Sequence, residues 1–109
     1  MSGPYQVVFS DEAEDDLLRL FDFALMRELE SSAPDLGLPE RAIEAIRAGC
    51  RFLAHSPFGC RKAPPGHNGF VRELLISFGA AGYVALFEIV DANTVIIGAV
   101  RHQREEDYR

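Results

Sequence analysis

An α+β fold is what this 109-residue sequence predicts: an N-terminal strand, a two-helix antiparallel hairpin packed on an antiparallel sheet, and a C-terminal three-stranded meander. Three observations carry it. Residues 13–25 and 42–53 each repeat apolar side chains at helical spacing. Residues 70–76, 83–90 and 94–100 are runs rich in β-branched and aromatic residues, separated only by short turn clusters. A further alternating run, residues 5–9, precedes the helices. Consecutive helices on a short loop form a hairpin, and consecutive strands on short turns pair antiparallel. Each layer has an apolar face that only the other can cover. At this length the chain is one domain, residues 1–109, with one core.

In the first strand Tyr5, Val7 and Phe9 share a face. Ser10 then serves as a helix N-cap, and Asp11, Glu12 and Glu14 set negative charge at the positive end of the helix dipole. Ala13 stands where a capping box would need Glu or Gln, so that reciprocal bond is absent. The first helix runs to about Glu30 on Ala13, Leu17, Leu20, Phe21, Ala24 and Leu25. Leu18, Phe23, Met26 and Leu29 widen this stripe beyond one buried face. Either the helix is buried on two sides, or it carries an apolar groove that a partner covers.

Residues 31–37, SSAPDLG, form a turn. Pro39 suits the first position of the second helix, which gathers Ala42, Ile43, Ile46, Cys50 and Leu53 on one face and ends at Pro57. Residues 58–69 are the one long irregular stretch; with Arg61, Lys62 and His67 it reads as a solvated connector or a functional loop. In the strand that follows, Phe70, Arg72, Leu74 and Ile76 share a face. Arg72 among apolar neighbours needs an anionic or carbonyl partner. Glu88 on the next strand is the internal candidate, and a ligand phosphate or a partner carboxylate the external one. Turns are expected at residues 79–82 and 91–93. Five of the seven residues in 94–100 are β-branched, which suits a central strand. It gives way to Arg101, His102, Gln103 and Arg104, and alternation would set His102 with Arg104 on one face and Arg101 with Gln103 on the other. Those residues are either a solvated tail or a site at the edge of the sheet.

Seventeen acids against eleven bases give a net charge of −6. Residues 1–60 hold eleven acids and five arginines, whereas residues 61–109 hold six of each sign. A protein that grips nucleic acid through phosphates is basic on the contacting face, so any such face must be local and C-terminal. No apolar run approaches the roughly 18 residues of a membrane span, and the first residues lack the basic start and apolar block of a secretory signal. Cys50 and Cys60 signal neither a disulfide framework nor a four-ligand zinc site, and Cys50 reads as a small core residue. The expectation is a reducing cytoplasm, with no cofactor and no metal.

Three segments carry a resemblance: VVFSDEAEDDL at residues 7–17, GFVREL at residues 69–74 and VIIGAVRHQREEDY at residues 95–108. With the element order, they make the chain resemble the RelE/ParE superfamily of toxins from bacterial type II toxin–antitoxin modules, nearer the ParE side. The resemblance implies growth inhibition, plasmid stabilisation, and a hetero-oligomer with a cognate antitoxin protein. On the ParE side it implies binding to DNA gyrase with no chemistry of the toxin's own. On the RelE side it implies metal-independent cleavage of mRNA on the ribosome, with Arg72 as the strand cation and His102, Arg104 and Tyr108 in the region of the acid or base. Lys62 is the only lysine, so the lysine-rich cluster of the RelE branch is missing, and Glu105, Glu106 and Asp107 would repel phosphate. The ParE reading therefore leads. Contact with the target then falls to Arg101, His102, Arg104, Tyr108, Arg61 and Lys62, and contact with the antitoxin to Leu18, Phe23, Met26 and Arg72. A relative that holds its antitoxin without being toxic is a third possibility.

Overall fold

The computed structural model describes residues 4–103. Strand β1 (Gln6–Phe9) leads into helix α1 (Asp11–Leu29) and helix α2 (Leu38–Arg51); two single 3-10 turns, Phe52–Ala54 and Pro57–Gly59, follow. Strands β2 (Val71–Phe78), β3 (Ala81–Asp91) and β4 (Thr94–His102) complete the chain as an antiparallel meander. The sheet order is β1-β4-β3-β2, and β1 lies parallel to β4, with Gln6 beside Thr94 and Phe9 beside Ile97. That parallel pair corrects the expectation of a wholly antiparallel sheet. Alternation fixes which face a strand buries but not the direction in which a distant strand joins it.

The helical hairpin covers one sheet face. Ala13, Leu17 and Leu20 of α1 and Ala42, Ile46 and Cys50 of α2 pack on Ile76, Tyr83, Ala85, Phe87, Val95, Ile97 and Val100. Ser10 caps α1, its Oγ accepting the Ala13 N–H at 3.1 Å. A Cβ at Gly49 would stand 2.9 Å from Ile76 Cγ1, so α2 approaches β2 at its one glycine.

Several boundaries differ from the sequence reading. The α2 helix stops at Arg51 rather than running to Pro57; a 3-10 turn continues the same periodicity and still buries Leu53. Pro39 takes the second helical position, after Leu38. Strand β2 begins at Val71, which leaves Phe70 outside it, and β3 already includes Ala81 and Gly82, so the turn tightens to Gly79 (φ +60°) and Ala80. Strand β4 does not end at Val100: Arg101 pairs with Val84 and His102 with Tyr83. Polar side chains at a strand end do not interrupt its backbone ladder.

The register shifts between Leu86–Ala99 and Phe87–Ile97, leaving Gly98 as a bulge. Here β1 has ended, and α1 takes over the exposed edge of β4. The Ser10 N–H donates to Ile97 O at 2.9 Å, Ser10 Oγ reaches Gly98 O at 3.4 Å, and the Val100 N–H donates to Asp16 Oδ2 at 2.9 Å.

Candidate functional site

Leu18, Phe23, Met26 and Leu29 are all more than half exposed on α1, which decides between the two readings of its wide stripe: the excess apolar side chains face outward. At the C-terminal end of α1 they run into a cleft of about 210 Å³ between that helix and the β2–β3 hairpin. Its walls include Phe23, Arg27, Leu38, Phe78, Tyr83 and His102. The His102 ring meets Tyr83 edge-on at 5.5 Å, and Phe78 lies 6.3 Å from the same tyrosine. Burial pushes the Tyr83 phenol above its ordinary range. Sequence reading missed Tyr83, because an aromatic residue in a strand looks like ordinary core.

The fold thus brings His102 and Phe23 to one cleft, although the sequence assigned them to target and antitoxin respectively. It sends Arg101 elsewhere. Arg101 lies in the Leu75–Val84–Arg101 row, on the sheet face away from the helices. There it borders a concavity of about 360 Å³ with His67, Val71, Glu88, Ile96 and Ala99. Two adjacent residues on one strand therefore face different surfaces, as alternation predicts.

Arg72 sits at the other end of the sheet. It pairs with Phe87, four residues along β3 from Tyr83, which puts it about 13 Å of strand away from His102. Its Nη1 donates to Cys60 O at 2.6 Å, and its guanidinium stands 5.3 Å from the centre of the Phe58 ring. The carbonyl partner foreseen for Arg72 is present, but it is Cys60 and not Glu88, which pairs with Val71 and meets Asn68. Arg72 is also remote from the α1 stripe with which it was grouped. Arg61 is committed to an ion pair with Glu73, a carboxylate only 5% exposed on β2. Nothing in the sequence marks Glu73, because it stands on the face of β2 opposite the Arg72, Leu74 and Ile76 row, where an acidic residue signals solvent and not a buried ion pair. Lys62 is exposed, and its backbone lies antiparallel beside that of Arg72 at the outer edge of β2.

Arg104 and Tyr108 lie outside the described residues. Among the described residues no group of three His, Cys, Asp or Glu is placed to hold a metal ion, and no helix is long and apolar enough to cross a membrane. Cys50 is a core residue as expected, its thiol pushed up to about 12 by burial, and Cys60 is raised for the same reason.

A two-helix hairpin on one face of a four-stranded sheet, with the last strand carrying cationic and imidazole side chains to its edge, is the architecture of a RelE/ParE-superfamily toxin. Residues 7–107 match the family described as ParE toxin of type II toxin–antitoxin system, parDE, and the chain belongs to that family. It is 38% identical over 82 residues to a protein of Caulobacter vibrioides named Toxin RelE3, spanning 74% of this chain and 80% of that one. In three dimensions it matches a solved chain described as chromosomal ParDE TA system from P. aeruginosa, with a TM-score of 0.68 over 93% of this chain and 98% of the other. That pair shares 15% identity, so the likeness speaks for the fold. The protein is the toxin of a type II toxin–antitoxin module, and its family implies an antitoxin partner.

Proposed function

We propose that this toxin inhibits growth by binding DNA gyrase in the cytoplasm, and that its antitoxin neutralises it by laying an apolar helix along Leu18, Phe23 and Met26. The observation that carries the reading is the cleft shared by Phe23 and His102. A helix seated on the α1 stripe would bury both, so the antitoxin would occlude a residue used against the target. Its apolar contacts supply affinity as in other helix-in-groove complexes.

Gyrase binding suits a chain of net charge −6 with a single lysine, because a protein–protein contact depends on local complementarity. RNA cleavage needs a base, an acid and phosphate-stabilising cations around one bond. Arg72, Arg101 and His102 stand on two faces and at two ends of the sheet. One observation favours ribosome-dependent mRNA cleavage as the second reading: the relative named Toxin RelE3. Supercoiling by purified gyrase, run beside translation in a cell-free extract, separates the two. The purified toxin should block the first and spare the second. The reverse result transfers the function to mRNA cleavage.

A further inference from the structure

Residues 45–72 contain no acidic side chain, although acids outnumber bases in the chain by seventeen to eleven. Five of the eleven cations lie in that segment: Arg47, Arg51, Arg61, Lys62 and Arg72. Folding neutralises two of them, pairing Arg47 with Glu14 and Arg61 with Glu73. Lys62 and Arg72 have no carboxylate partner among the described residues. They stand together at the rim of a cleft of about 140 Å³, whose walls are Phe58, Gly69, Phe70 and Ile89.

The phenylalanines here are conspicuously unprotected. Phe70 is 79% exposed and Phe58 63%. Burying apolar rings is favourable, so a fold that leaves two of them in water forgoes that stabilisation. Neither ring is on a loose segment. The Phe70 N–H donates to Asn68 Oδ1 at 2.8 Å, and Asn68 Nδ2 in turn reaches Glu88 Oε2 at 3.4 Å. Phe58 lies on a 3-10 turn, between the Arg72 guanidinium at 5.3 Å and the edge of Tyr5 at 6.4 Å. The Phe58 ring is thus held before contact and loses little entropy on binding, while at Phe70 it is the backbone that is fixed.

We propose that this cleft docks an acidic segment of a partner protein, its carboxylates set against Lys62 and Arg72 and its apolar side chains against Phe58 and Phe70. The site is separate from the α1 stripe: Val71, beside the cleft, and Phe78, in the other, are seven residues apart on β2, roughly 24 Å. It does not depend on which target the toxin attacks. Nucleic acid fits less well. A strand held through phosphates needs cations spaced along several of them, and here there are two, with Glu88 close behind.

The test is selection of short random peptides on the full chain. Winners are then measured by fluorescence anisotropy against the parent, Phe70→Ala, Lys62→Glu and Phe23→Asp, with a single-stranded oligouridine in parallel. Both Phe70 and Lys62 are exposed, so the first two variants should melt like the parent. Selected peptides should combine Asp or Glu with Leu, Ile or Phe. They should bind Phe70→Ala and Lys62→Glu at least about tenfold more weakly and Phe23→Asp unchanged. Peptides without acidic enrichment, or binding that ignores both substitutions, overturn the proposal. So does an oligouridine that binds the parent and is lost on both variants, which would assign the cleft to nucleic acid.

Discussion

Asp16 Oδ2 accepts the Val100 N–H at 2.9 Å, fastening α1 to β4 just where β1 has turned away. One carboxylate oxygen does what another strand would do. It satisfies an edge donor and holds the second half of β4, with Arg101 and His102, against the helix. Asp16→Ala would leave that N–H without its partner, which costs about 1–3 kcal/mol when the group is shielded from water. A fall of that size in urea-unfolding stability is expected. A change within experimental error would mean that water replaces the carboxylate freely.

The two glycines of the β2–β3 hairpin make opposite demands. A Cβ at Gly82 would lie 2.3 Å from Ile76 O, inside the backbone of the neighbouring strand, so Gly82→Ala must push β2 and β3 apart. Overpacking of this kind costs about 1–3 kcal/mol, or more where backbone cannot move. Gly79 has φ +60° and open space around it, a conformation asparagine tolerates. Gly79→Asn should leave the melting temperature nearly unchanged while Gly82→Ala lowers it sharply.

Much of this fold was legible in the sequence. The β-branched run from Thr94, the Ser10 cap and the 3.6-residue stripes of both helices each state their element locally. What was not legible depends on neighbours distant in sequence. Nothing in residues 5–9 says that β1 will run parallel to β4. Nothing near Glu73 says that Arg61 will reach it. The excess of Leu18, Phe23, Met26 and Leu29 was visible, but only packing could say that it faces outward. The site was legible in part: alternation separated Arg101 from His102, while the meeting of His102 with Phe23 needed α1 folded over the hairpin.

Thiol chemistry should follow burial. The Cys50 thiol is raised from 9.0 to about 12 in the folded protein because its thiolate would be desolvated. A group raised on folding contributes stability that is fully present below its unfolded value. Cys50 therefore leaves stability untouched below pH 9 and erodes it as the pH climbs from there toward 12. At pH 8 a thiol reagent should label Cys60 well before Cys50, which should react only after denaturant is added. Rapid labelling of both in the native state would contradict the packing of α2 on the sheet.

Phe23→Asp tests neutralisation directly. Its side chain is 54% exposed, so the change should spare the fold, yet it puts a charge in the path of the proposed antitoxin helix. Antitoxin affinity should drop by at least about tenfold. Cells carrying both proteins should then stop growing where the parental pair is harmless. Unchanged affinity would move the antitoxin off this face.

Arg101 and His102 supply the last test, because adjacent residues on one strand cannot serve one flat contact from opposite faces. If the target is engaged from the helix side, His102→Ala should abolish growth inhibition and Arg101→Ala should spare it. The pattern reverses if the concavity around His67 and Glu88 is the contact surface. Both side chains are only half-buried, so truncation should change stability by little, and melting curves keep loss of fold apart from loss of function. Deletion from Gln103 onward completes the series. The β4 ladder ends at His102, so the shortened chain should melt like the parent. Loss of toxicity in that chain would place part of the contact beyond the sheet, in the segment carrying Arg104 and Tyr108. Full toxicity would confine it to residues 1–102, and unfolding would make the final residues structural.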